Sequence, residues 1–205
     1  MILRPVYSSE VTVNELEKSE MKRREEIVSE AGGVLPYAEE FYLAGMKYAA
    51  ERSTTAFKEA DDAQGAPAVS LVHQALACAG ELSRYFWPSW RGGVAMRRGE
   101  RLRDAFALTD ASPLADRRLR DGLEHFDERL DKFLLTIDAG EFFPFPIEGD
   151  ARMLENPTQH FFKLLDRDRG VFILLNKAFS YQPIREEVER IQAALRASDT
   201  HLPRD

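Results

Sequence analysis

Apolar residues recur at helical spacing along most of the 205-residue chain, and the texture changes only near residue 140. From Glu15 to about Ala31 the chain is highly charged and reads as a helix stopped by Gly32 and Gly33. The β-branched Val6, Val11, Thr12 and Val13 before it suit a short strand or an arm. After Pro36, a helix from roughly Tyr37 to Ala60 is expected to bury the side carrying Phe41, Ala44, Tyr48 and Thr55. The run DDAQGAP breaks it, and a helix from about Ala66 to Trp87 follows, with Val69, Val72, Leu76, Ala79, Leu82 and Phe86 on one face. PSWRGG stops that helix, and a shorter basic one is expected from Met96 to Leu108. Ser112 and Pro113 then open a helix that runs to about Thr136, because a serine hydroxyl caps a free amide and proline has no amide to lose. Beyond it, GEFFPFPIEGD holds too many prolines and aromatics to be helical. HFFKLLDRDRGVFILLN reads as a β-hairpin around a polar turn at Asp166 to Gly170. Pro183 begins a last amphipathic helix through Ile184, Val188, Ile191 and Leu195, which leaves a polar tail. No internal repeat and no low-complexity linker interrupts this order, so residues 1–205 are read as one domain.

The stretch SPLADRRLRDGLEHFDERLDKFL carries the chemistry. Leu119, Leu123, Phe126, Leu130 and Phe133 step by four, three, four and three and form a continuous apolar stripe. At about 100° per residue, Arg120 and His125 fall on either side of the opposite pole with Asp121 and Glu124 between them. The helix is thus expected to turn Arg, Asp, Glu and His away from the core. If a second copy packed across a two-fold axis, those residues would line a shared cleft twice. The plainer reading is a solvated face on which Arg120, Glu124 and Glu128 make ordinary surface pairs.

Composition narrows this picture without redirecting it. The chain is 44% hydrophobic and 31% charged, the make-up of an ordinary globular protein able to bury a sizeable core. A net charge of -7 gives no global attraction to nucleic acid or anionic lipid, which leaves an RNA site to a local basic patch; no sequence-specific DNA binding is expected. The one cysteine, Cys78, has no disulfide partner and sits in an apolar run that suits core packing, with His73 on a different face of the same helix. A reducing, cytoplasmic location is expected, since no segment has the pattern of a signal peptide or a membrane span. His73, His125, His160 and His201 are scattered without metal-ligand spacing, so neither zinc nor another cofactor is expected. Phosphate-loop, dinucleotide and Gly-x-Ser-x-Gly motifs are lacking too.

Arg120, Asp121 and, three intervening residues later, His125 resemble the Arg-polar-x-x-x-His signature of the HEPN superfamily of small helical proteins. The resemblance implies a mainly α fold, an up-and-down bundle whose core covers roughly residues 36–136, with 1–33 as an N-terminal arm and 140–200 as a β-hairpin and helix extension. It also implies a homodimer whose cleft joins two copies of the motif. Many members are metal-independent endoribonucleases that act as toxins or in phage defence and stress responses, some held by an antitoxin or another protein partner; others are non-catalytic modules that bind a protein or a nucleotide. Asp121 stands where the family often has Asn or His, and beside Glu124 it adds negative charge where phosphate would dock. Asp127 stands where some HEPN toxins carry a tyrosine modified with AMP by a nucleotidyltransferase, so that mode of control is not implied here.

RNA cleavage without metal needs a group to take the proton of a 2′-hydroxyl, a cation to offset charge on the phosphate, and a donor for the leaving oxygen. An imidazole exchanges protons near neutral pH, which suits His125; Asp121 would orient its ring and Arg120 would grip phosphate oxygens. Arg84, Arg91, Arg97, Arg98, Arg101 and Arg103, interleaved with Tyr85, Phe86, Trp87 and Trp90, form the candidate RNA-binding surface, with Arg97, Arg98 and Arg101 at its centre. The alternative is that these aromatics are core and the arginines a solvated helix face.

Overall fold

The structure, a computed structural model, describes residues 9–90 and 92–199; Val6, Arg91 and His201 lie outside them. Its first helix, α1 (Ser9–Glu30), includes Val11 to Val13, so those β-branched residues continue the charged helix. Gly32 and Gly33 end it at φ 77° and 82°, with the Gly33 amide donating to the Val28 carbonyl at 2.8 Å and the Gly32 amide to Ser29 at 3.1 Å. That pairing satisfies the last carbonyls of the helix and needs a left-handed residue that only glycine adopts without strain.

Two long helices, α2 (Glu39–Asp62) and α3 (Gly65–Phe86), are joined by Ala63 and Gln64 alone, which forces them to run antiparallel. On α3 the apolar face is the one the periodicity gives: Val69, Val72, Leu76, Ala79, Leu82 and Phe86 are all buried. On α2 the expected face is the wrong one. Phe41, Ala44, Tyr48 and Thr55 are exposed, Phe41 to 80%. Met46, Ala49, Ala50, Ser53, Ala56, Phe57 and Ala60 are buried instead. The reason is residue size: small residues let the two backbones approach, and the Ser53 hydroxyl donates to the Ala75 carbonyl across the gap at 2.9 Å. Phe41 and Tyr48, the aromatics expected inside, stand on the outside, and Phe57 is the aromatic that α2 buries.

Helix α4 (Gly93–Ala105) starts slightly before the expected Met96 and packs on the C-terminal end of α3. The expected single helix from Ser112 to Thr136 is cut twice. Ser112 accepts from the Leu114 amide but caps only a 3-10 turn, Pro113–Ala115. Asp116 then caps α5 (Arg117–Glu124) by accepting from the Arg118 amide at 2.9 Å. His125, at φ -102° and ψ 43°, leaves the helical region, and α6 (Phe126–Leu134) resumes after it. The apolar stripe survives the breaks: Leu119, Leu123, Phe126, Leu130 and Phe133 all pack on one core cluster.

The expected hairpin is present as β4 (Lys163–Asp166) and β5 (Val171–Leu174), antiparallel and in register Asp166 to Val171. It belongs to a larger sheet. β2 (Ile147–Glu148) pairs parallel to β4, and β6 (Lys177–Ser180) pairs antiparallel to β5. β1 (Glu141–Phe143) and β3 (Gln159–Phe161) form a separate parallel pair. The β5 to β6 turn consists of Leu175 and Asn176 at φ 49° and 58°, the mirror-image geometry that matches strand twist and that normally selects Asn-Gly. Leucine in this region costs about 1 kcal/mol, and without a glycine the turn leaves no sequence signal.

The last helix, α7 (Gln182–Asp199), sends Val188, Ile191 and Leu195 into a core shared with Met46, Leu82 and Phe86. Phe172 and Leu174 of the sheet share the other main core with Val69 and Leu76. The chain beyond residue 140 is therefore built into the same cores as α2 and α3. The protein is mainly helical with a small C-terminal strand region and a final helix. Among the described residues no helix is long and apolar enough to cross a membrane. Gly122 is buried where α5 crosses β5, yet a Cβ there would lie 3.5 Å from Leu174 Cδ2, an ordinary contact. Gly122→Ala is thus expected to stabilise the protein by about 0.5–1 kcal/mol through helix propensity, read as a higher midpoint in urea; a lower midpoint would mean that α5 cannot accommodate a side chain on β5.

Candidate functional site

The hinge at His125 opens onto a cleft of about 680 Å³. One wall is α5 and α6; the other is the end of β5, its turn and β6, which contribute Leu174, Leu175, Lys177 and Phe179. Among the lining side chains, the five cations Arg117, Arg120, Arg129, Lys132 and Lys177 outnumber the three carboxylates Asp121, Glu124 and Glu128. In a chain of net charge -7 this is a local reversal of sign, and it draws anions. Arg129, Lys132 and Lys177 make no ion pair with any described residue, so their charge is available to a ligand.

His125 lies at the hinge with 62% of its side chain exposed, and its Nδ1 is 3.9 Å from Glu128 Oε1. The carboxylate beside the ring is therefore that of Glu128, whereas Asp121 sits 3.5 Å from Arg120 Nε. Arg120 departs from the expected solvent-facing position. Its side chain is only 5% exposed, because its stem lies along the C-terminal end of α3, whereas Asp121 and His125 on the same face stay open to solvent. The stem crosses Gly80, where a Cβ would come within 3.1 Å of Arg120 Cγ. Its Nη1 donates to the Ser83 hydroxyl at 3.1 Å and to the Trp87 carbonyl at 3.3 Å. Burial draws the guanidinium pKa down from its ordinary value, and the charge of Asp121 opposes that. Its Nε, buried without a hydrogen-bond partner, lies 3.9 Å from Glu124, which is also ion-paired to Arg84. Arg120 thus fastens α5 to the end of α3 at the edge of the cleft.

The arginines of α4 lie apart from the cleft lining. Arg98 donates to the Arg84 carbonyl at 3.2 Å and stacks over Tyr42, and Arg101 donates to the Ala31 and Val34 carbonyls at 3.2 and 3.4 Å. Arg103 donates to the Phe86 carbonyl at 2.6 Å, and Arg97 is exposed. Three of these four side chains hold α4 to the ends of α1 and α3. Arg117, Arg129, Lys132, Phe133, Lys177 and Phe179 line the cleft although the Arg-Asp-x-x-x-His motif does not include them. Arg129 and Lys132 follow His125 by four and seven positions, a spacing that puts them on its helix face. Lys177 and Phe179 arrive through tertiary structure alone.

Elsewhere, Arg167 spans a shallower depression between the α2–α3 connection and β2, pairing with Glu148 at 2.7 Å and donating to the carbonyls of Asp61 and Ala63. Cys78 is buried, and burial pushes its thiol pKa up, which leaves it a poor nucleophile. Among the described residues no cluster of His, Cys, Asp and Glu could hold a metal ion. His73 stacks on Phe172, and its Nδ1 lies 3.1 Å from Lys163 Nζ, so the neutral ring accepts from the ammonium. Burial, with Lys163 beside it, lowers the His73 pKa from 6.5 to about 4. The unfolded chain takes up a proton here below about pH 6.5 and the folded chain does not, so stability is level above that pH and falls as the pH drops toward 4. After a discount for the ring's partial exposure, about 1 kcal/mol should be lost between pH 7 and pH 5. Urea melts at the two pH values test this: His73→Gln, which keeps an acceptor for Lys163, should lose that part of the pH dependence, and an unchanged dependence would assign it to other groups.

No family model matches the chain, and no curated protein or solved structure matches it either.

Proposed function

We propose that this protein is a HEPN-like, metal-independent endoribonuclease, with a HEPN-type bundle formed around α2, α3, α5 and α6. The observation that carries the reading is an exposed histidine at a helix hinge inside a cleft where cations predominate. His125 takes the proton of a 2′-hydroxyl; the 2′-oxygen attacks phosphorus, and the 5′-oxygen leaves with a proton, giving a 2′,3′-cyclic phosphate and a 5′-hydroxyl end. Arg129 and Lys132, one and two turns beyond His125, offset the charge that builds on the phosphate. Arg120 is a positioning residue that holds α5 in place. The acidic neighbours of the motif are largely answered within the fold, Asp121 by Arg120 and Glu124 by Arg84, so they oppose a phosphate less than their number suggests. A homodimer across the motif helices would supply a second His125 to protonate the leaving oxygen. In this reading the protein acts in the cytoplasm on RNA as a toxin, defence or stress-response factor under the control of an antitoxin or other protein partner.

The test is incubation of the purified chain in EDTA with mixed structured and single-stranded RNAs. Cleavage that leaves cyclic-phosphate ends is the expected result; intact RNA, or cleavage that requires a divalent metal, overturns the proposal. One observation favours a second reading. Because the Arg120 side chain is consumed in fastening α5 to α3, a non-catalytic module that binds a nucleotide or a protein in the same cleft would also retain it. Saturable binding of a nucleotide or RNA without turnover would select that module.

A further inference from the structure

The cleft's second wall is a built feature of this chain. The β5–β6 turn holds Leu175 in a left-handed conformation although it is not glycine, with its side chain buried at the cleft. Such strain persists only where the surroundings impose it, and it concentrates at ligand clamps. The surroundings here are specific. The Leu175 amide donates to the Phe162 carbonyl at 3.1 Å. The Asn176 side chain accepts from the Phe161 amide at 2.6 Å and donates to the Gln159 carbonyl at 2.8 Å. The turn is thereby pinned to β3 from behind, and Lys177 and Phe179, one and three residues after it, line the cleft that also holds His125 and Phe133. Lys177 is exposed, while Phe133 and Phe179 are half-buried.

We propose that the β5–β6 hairpin is the substrate-holding jaw of the cleft, with Lys177 on a phosphate next to the cleaved bond and Phe179, together with Phe133, stacking an unpaired base. The proposal rests on the RNA reading of the cleft. It follows from the chemistry of the lining: a cation without an ion-pair partner beside aromatic rings is the pairing that single strands bind, because every base has a stacking face while a duplex keeps its bases stacked on each other. A cleft of about 680 Å³ matches a ligand of one or two nucleotides and is far too small for a helix of paired strands. The jaw belongs to the same chain as His125, so substrate grip does not depend on a second subunit.

The experiment uses the full chain and a fluorescein-labelled single-stranded oligonucleotide with 2′-O-methyl sugars, which binds but cannot be cleaved. Fluorescence anisotropy is followed against salt for wild type, Lys177→Ala, Phe179→Leu and Phe179→Trp, alongside cleavage of the unmodified RNA. Lys177→Ala should weaken binding about fivefold and lower the salt slope by about 0.7. Phe179→Leu, which keeps an apolar side chain against the core, should weaken binding about tenfold, and Phe179→Trp should restore it. A fully paired duplex of the same sequence should compete at least tenfold less well. If wild type binds and Lys177→Ala and Phe179→Leu bind equally well, the jaw is overturned while the cleft reading stands. If wild type binds but does not cleave and the variants weaken, the jaw stands and the nuclease reading falls. If wild type does not bind, both fall.

Discussion

His125→Ala is expected to lower the rate of RNA cleavage by about 10²–10⁴-fold, the range for loss of a positioned proton-transfer group. The fall should appear in kcat with little change in KM, since the proposed reading assigns oligonucleotide affinity to the cations and aromatics around the ring and not to the ring itself. Stability should stay within about 0.5 kcal/mol of wild type, because the side chain is 62% exposed and Glu128 Oε1 lies no nearer than 3.9 Å to its Nδ1. His125→Gln sharpens the test: it preserves hydrogen bonding but cannot exchange a proton near neutral pH, so its loss should match that of alanine. Initial rates in EDTA on a single defined RNA provide the measurement. Rates within threefold of wild type for both variants would remove His125 from the chemistry.

How far the sequence could reach is clear from particular residues. The stripe from Leu119 to Phe133 was legible because bulky apolar residues at helical spacing have few other places to go, and it does face a core. The periodicity of α3 and the hairpin of β4 and β5 were legible for the same reason. The face of α2 was misread because close helix contact is made by alanine and serine, which carry little hydrophobic weight, while Phe41 and Tyr48 carry much and lie outside. The burial of Arg120 depends on Gly80, forty positions earlier, leaving a channel for its stem. No local pattern records that dependence. The α4 arginines read alike whether they meet phosphate or backbone carbonyls, because acceptors on the main chain are invisible in a sequence. The motif located one wall of the cleft, and the other wall came from a turn without glycine that was not recognisable as a turn.

Arg120→Ala is expected to act in the opposite sense to His125→Ala, with its main effect on folding. Two hydrogen bonds from a buried guanidinium are lost, leaving the Trp87 carbonyl without that donor, and the stem that fills the space over Gly80 disappears. Charge-assisted bonds of this kind and a buried stem together are worth about 3 kcal/mol, which for a chain of this size lowers the melting midpoint by roughly 6–12 °C. Arg120→Met keeps the stem and should recover about 1 kcal/mol; Arg120→Lys keeps the charge but cannot reach the Ser83 hydroxyl and the Trp87 carbonyl as a planar fork. Calorimetry across the three variants, with cleavage assayed well below each midpoint, separates anchoring from chemistry. If Arg120 positions α5, activity should follow the recovery of stability from Ala to Met. If Arg120→Met regains that part of its stability and remains as inactive as His125→Ala, the guanidinium itself touches the phosphate, and the buried arginine is part of the catalytic pair that the motif suggests.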